Sequence, residues 1–184
     1  KYIGFAGTFF EHQGIDTLID AAPQIVKQFP DTYFVLVGDG PMKEAWKNKI
    51  AEMGLSSYFI FTGQVEYQDV PLYLGVMDIC VAPLIQQAGS RSPVKVFDYL
   101  SCGRPVVMSD VANTGELFKS SGAVVLIQPE DRVSLSENII QLLENEAICE
   151  KMGKKGREFV LSKYDRKKLA KTVGSIAHRL SFLS

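Results

Sequence analysis

Six short apolar runs, at 2–6, 33–37, 58–61, 79–82, 106–108 and 123–127, alternate along this chain with stretches whose apolar residues recur every three or four positions. Runs that are apolar at nearly every position, rather than at every second one, belong to strands covered on both faces. The intervening helical patterns, at 15–28, 42–53, 70–76, 94–102 and 114–119, supply those covers. Repeated strand–helix units of this kind build a parallel sheet. The expected fold is therefore α/β: a Rossmann-like parallel sheet of about six strands with helices on both faces. After Ile127 the pattern turns helical throughout, at 133–144, 146–162 and 166–182, which predicts a helical C-terminal tail. Pro23 lies inside the first helical pattern, where it removes a main-chain hydrogen bond and predicts a kink or a helix broken in two.

The 184 residues show no internal repeat, low-complexity tract or linker, so residues 1–184 are expected to form one domain. Twenty basic against twenty-one acidic residues leave no global field favouring nucleic acid or an anionic membrane, so any phosphate site must be local. Cys80, Cys102 and Cys149 are far apart and lack metal-ligand spacing, which fits free thiols in a reducing compartment and a cytoplasmic protein. No apolar run is long enough to span a bilayer, and no signal-peptide pattern opens the chain. The start at Lys1, directly before a strand, suggests a piece of a longer protein.

In open parallel sheets, ligands bind beyond the carboxyl ends of the strands. The densest set of binding features in such a place is the stretch 90–107. Ser90 and Gly89 loosen the chain, Ser92 precedes Pro93, and Pro93 suits a first helical turn. The amides of Val94, Lys95 and Val96 would then face the loop, with the Lys95 ammonium adding a full charge to the partial charge of the helix end. Asp98 follows about one turn later, placed to accept hydroxyl hydrogen bonds. The loop from Gly7 and Thr8 to Gln13 and Gly14 is a second candidate, though it carries no GxGxxG fingerprint. Within it, His12 is either a solvated surface residue or an extra donor. Val37-Gly38-Asp39-Gly40-Pro41 reads as a tight turn opening the next helix. An acid at the Asp39 position would clamp a ribose in a nicotinamide dehydrogenase, but the missing glycine fingerprint speaks against that class. Glu66 and Asp69 suit the start of a helix.

Other chemistries lack their residues. His12 and His178 sit in no nucleophile motif, no Asp-x-Asp pair or metal-ligand cluster appears, and there is no phosphate-binding Gly-x4-Gly-Lys loop. Neither a metal nor a separate cofactor is expected.

Ser92 through Val107 resembles the donor site of group-one (family 4) glycosyltransferases, which carry a segment such as Ser-Pro-Leu-Lys-Leu-Phe-Glu-Tyr-Met-Ala-Cys-Gly-Lys-Pro-Val-Val. The register is kept at Gly7 to Gly14, Val37 to Pro41, Gly63 to Val65 and Met152-Gly153 to Arg157. The resemblance implies the C-terminal, donor-binding domain of a GT-B enzyme, with an N-terminal acceptor domain outside this chain. It implies that the helix end at Pro93, Val94 and Lys95 receives the diphosphate of a UDP- or GDP-sugar. Asp98 would hold the ribose, main-chain groups near Val65 the base, and Gln86, Gln87, Gly89 and Ser90 the sugar hydroxyls. The family often has Arg or Ser at the Thr8 position, Lys at Gln13 and Glu at Ser90; here the three are neutral. Transfer would proceed with retention and without metal, to a glycan, lipid or other hydroxyl acceptor bound through the other domain, in the cytoplasm or peripherally at a membrane. No side chain is assigned a catalytic role, and the chain by itself is expected to be inactive. The neutral Thr8, Gln13 and Ser90 keep open an alternative: a catalytically impaired nucleotide-sugar-binding or scaffold module.

Overall fold

The computed structural model describes residues 1–85, 94–165, 170, 171 and 173–175. Six parallel strands, β1 (Tyr2–Ala6), β2 (Tyr33–Val37), β3 (Phe59–Gly63), β4 (Ile79–Ala82), β5 (Val106–Ser109) and β6 (Val124–Ile127), form one sheet in the order β3-β2-β1-β4-β5-β6. Strand-to-strand register runs Tyr2↔Tyr33 to Ala6↔Val37 on one side of β1, but only Ile3↔Ile79 and Gly4↔Cys80 on the other. The order reverses between β1 and β4, and there the two strands part early.

Successive strand residues feed opposite faces, so the continuous apolar runs divide into two cores. Ile3, Phe5, Phe34, Leu36, Ile79 and Val107 pack beneath α1 (Ile15–Gln28), α2 (Lys43–Glu52) and α6 (Arg132–Leu143). Ala6, Val35, Val37, Cys80, Val106 and Met108 pack beneath α3 (Val70–Val76), α4 (Val94–Ser101), α5 (Glu116–Lys119) and α7 (Glu146–Lys163). The doubly covered sheet expected from the sequence is thus present. Gly153 lets α7 lie directly on the end of α4, because a Cβ there would overlap the Gly103 carbonyl.

Pro23 does not break its helix. α1 runs unbroken from Ile15 to Gln28, with Pro23 exposed while Leu18, Ile19, Ala22 and Ile25 are buried. An internal proline costs about 3 kcal/mol, whereas burying one large aliphatic side chain contributes about 1.5–3 kcal/mol. Packing therefore outweighs the lost bond. The short helix expected at 114–119 begins only at Glu116, where the first bond comes from Asp110 Oδ1, which accepts from Gly115 N at 2.9 Å. Glu116 pairs with Lys119 at 2.8 Å. The last tail stretch, 166–182, lies largely outside the described residues. Cys80 is buried, while Cys102 and Cys149 are half-buried and all three are unbridged.

Candidate donor site at the sheet's switch point

The gap between β1 and β4 is filled from α4. Tyr99, buried one turn after Lys95, accepts a hydrogen bond from Ala6 N at 2.8 Å and donates to Ala6 O at 3.1 Å. Its hydroxyl satisfies the strand end that β4 leaves unpaired, and it fixes α4 against the last residue of β1. Residues four apart share a helix face, so the same anchorage brings Lys95 beneath Gly7. Its Nζ sits 4.2 Å from the centre of the Phe5 ring and donates to Gln13 Oε1.

Among the described residues no carboxylate pairs with Lys95, and burial pulls its pKa down to about 7. The full charge expected from the sequence is therefore conditional: at neutral pH the amine is poised between its two forms. Gln13, itself only 9% exposed, donates from Nε2 to His12 Nε2 at 2.9 Å.

Beside this amine the loops after β1, β2 and β3 enclose a cavity of about 610 Å³, lined by Gly7, Thr8, Asp39, Gln64, Val65 and Tyr67 among others. Main-chain bonds lace the three loops together: Gly7 N to Val37 O at 3.0 Å, Phe9 N to Asp39 O at 2.9 Å, and Gly38 N to Gly63 O at 3.0 Å. Gly38, at φ 133°, has no room for a side chain because a Cβ would strike the Gly7 carbonyl. Asp39 serves the turn, accepting from Gly40 N at 2.8 Å and from Lys43 Nζ at 2.6 Å. The hydrogen bond from Lys43 is the main cause that lowers its pKa, so the acid stays ionised and partnered beside the cavity.

Asp98 does not line this cavity. It lies on the neighbouring face of α4 with Val94, where a second space of about 470 Å³ is bounded by Tyr67, Phe97, Tyr164 and Asp165. Tyr67, 67% exposed, borders both spaces. The structure thus brings Gly7, Thr8 and Val65 into one cavity, ties Lys95 to Gln13 at its edge, and sets Val94 and Asp98 next door. Gly89, Ser90, Ser92 and Pro93, with Gln86, Gln87 and Arg91, lie outside the described residues. Sequence reasoning overlooked two side chains, Tyr99 and Tyr67. The signal for Tyr99 was its spacing of four from Lys95.

A parallel sheet with this strand order, covered by helices on both faces, is a Rossmann-like domain. The chain belongs to the family described as glycosyl transferases group 1, whose profile matches residues 1–145. It is 23% identical over 164 residues to the 2-deoxystreptamine N-acetyl-D-glucosaminyltransferase of Niallia circulans, covering 89% of this chain and 41% of that protein. It superposes on sucrose-phosphate synthase from Thermosynechococcus elongatus with a TM-score of 0.86 at 25% identity, covering 100% of this chain and 46% of the other. Anabaena HepE, whose crystal structure holds UDP, matches with a TM-score of 0.79 at 20% identity, covering 95% of this chain and 48% of that one. The chain spans about two fifths of the length of the curated relatives it matches. Among the described residues no helix is long and apolar enough to cross a membrane.

Proposed function

We propose that this domain binds the nucleotide diphosphate sugar, UDP- or GDP-linked, for a glycosyltransferase that transfers the sugar with retention to a hydroxyl acceptor. The observation that carries this reading is the desolvated Lys95 amine at the switch point, which has a neutral amide for a partner and a cavity beside it. A buried cation without a counter-ion is costly, and a bound diphosphate supplies the missing negative charge. Fold similarity to a protein crystallised with UDP supports the same ligand class.

In this reading the β-phosphate meets Lys95 and the N-terminal amides of α4, and Thr8 offers a neutral hydrogen bond where the family often has a cation. Charge that builds on the leaving diphosphate is stabilised by donors already in place, the largest electrostatic contribution such chemistry needs. Main-chain groups at Gln64 and Val65 face the base, and Asp98, reached past Tyr67, takes the ribose hydroxyls. The family resemblance adds Gly89, Ser90, Ser92 and Pro93 as residues for diphosphate and sugar. The acceptor, whether glycan, lipid or another hydroxyl compound, and an acceptor domain to hold it would come from sequence beyond this chain, with the enzyme working in the cytoplasm or against a membrane surface.

A thermal-shift panel of UDP, GDP and their sugars tests the reading. A ligand at 100 times its dissociation constant adds about 2.7 kcal/mol to stability, and an adenosine nucleotide serves as the control. Equal responses to all nucleotides, or none, would refute it. The chain alone is expected to bind and not to turn over. The neutral Thr8 and Gln13 favour one second reading, a binding module without transfer; the parent protein would then bind a donor yet show no turnover with any acceptor.

A further inference from the structure

We propose that His12 is a positioning residue for the contact between Lys95 and the donor diphosphate, acting through the side-chain amide of Gln13. The inference rests on the donor reading above. It begins from the donor and acceptor inventory. In the ammonium form that meets a diphosphate, a lysine can only donate, whereas a glutamine amide has one accepting oxygen and one donating nitrogen. With Gln13 Oε1 turned to Lys95, its Nε2 is committed to the other side, where His12 Nε2 lies 2.9 Å away. That imidazole nitrogen must accept, so His12 is held neutral with its proton on Nδ1.

The ring is itself held in place. It stacks on Phe10 with centroids 5.6 Å apart and an interplanar angle of 17°, and the His12 carbonyl accepts from Ile85 N at 3.2 Å. Gln13 is buried, so both ends of its amide need partners. Without the acceptor at His12 the amide has no reason to keep its oxygen toward Lys95, and the reversed orientation sets two donors face to face. His12 thus selects the amide orientation that keeps the Lys95 amine beneath Gly7, at the edge of the cavity. Resemblance to the family puts a lysine at the Gln13 position; in this chain that position supplies an acceptor, and the cation comes from α4.

The chain contains two histidines, which makes the test clean. In ¹⁵N-labelled chain carrying His178→Ala and saturated with UDP, so that Lys95 is an ammonium, two-bond ¹H–¹⁵N spectra at pH 8 should show His12 as the Nδ1–H tautomer, with the shift of an unprotonated acceptor at Nε2. A proton on Nε2 overturns the proposal. In UDP titrations His12→Phe, which keeps the stacking and loses the acceptor, should weaken binding about fivefold. His12→Gln, which returns an acceptor at similar reach, should recover most of that loss. Equal affinity for His12→Phe and the unaltered chain overturns the proposal while leaving the donor reading intact. If Lys95→Ala leaves UDP affinity unchanged, the donor contact of Lys95 falls and the role of His12 with it. Should His12→Phe fail to fold, the tautomer measurement decides alone.

Discussion

The loops leaving β1, β2 and β3 and the loop leaving β5 open onto the same edge of the sheet, and they are held by opposite means. The first three are tied to one another through main-chain bonds, with glycine at the tight approaches: Gly38 against the Gly7 carbonyl, and Gly40 against the Phe9 main chain. The β5 loop turns through Ala112 at φ 51° and Asn113 at φ 59°, left-handed conformations without glycine, and leaves the buried hydroxyls of Ser109 and Thr114 without partners among the described residues. One rim is built to hold a fixed cavity wall. The other keeps its turn at a cost in strain, which indicates that its shape is set by the neighbouring packing.

Breaking the first rim should have the largest effect. Gly38→Ala places a Cβ on the Gly7 carbonyl at a φ of 133°, so the fold should be destabilised by about 3 kcal/mol or more, a fall in midpoint of roughly 6–12 °C for a chain of this size. Little change in a thermal melt would mean that the wall is not locked.

Lys95→Met tests the charge at the same rim. UDP affinity should drop by about 1.5–3 kcal/mol, the usual contribution of a hydrogen bond to a charged group. The thermal midpoint at pH 7 should rise, because a desolvated amine is replaced by an apolar side chain. A variant that loses both stability and binding would show that Lys95 is structural.

The pH dependence sharpens the same point. Lys95 has a folded pKa of about 7, below its ordinary value of 10.5, so between these values the unfolded chain binds more protons than the native one. Its contribution to stability therefore rises with pH across that window, by up to about 1.4 kcal/mol per unit, and is flat below it. The difference between unaltered chain and Lys95→Met in denaturant unfolding at pH 6, 7, 8 and 9 isolates this slope. Parallel curves would place the amine in water.

The smallest effect belongs to the strained rim. Ala112→Gly removes a left-handed penalty of about 1–2 kcal/mol, partly offset by the added freedom of the unfolded chain. A net gain of about 0.5–1 kcal/mol is expected in urea unfolding, with UDP affinity unmoved. A loss of stability would show that the turn is not strained.

The layered sheet could be read from the chain because strands covered on both faces need apolar residues at every position, and runs such as Tyr33–Val37 leave little else to be. Pro23 misled because its cost is local while the packing of Ile19, Ala22 and Ile25 on the sheet is not. At the site, Gly7, Thr8 and Val65 line one cavity, since loop position follows directly from strand order. The state of Lys95 could not be read from spacing. It depends on Tyr99 anchoring α4 to Ala6 and on the Phe5 ring beneath the amine, contacts between residues some ninety positions apart. Asp98 is expected from the sequence about one turn beyond the helix end, as an acceptor for hydroxyls, and its side of α4 borders a second space with Tyr67.

Calorimetric titration of the chain with UDP at pH 8, repeated in buffers of different ionisation enthalpy, tests the role of Lys95 most directly. If its amine is the cation that meets the diphosphate, binding draws a proton from the buffer, the uptake approaches one proton per UDP, and it vanishes in Lys95→Met. Binding with no proton uptake, or with the same uptake in both proteins, would contradict it.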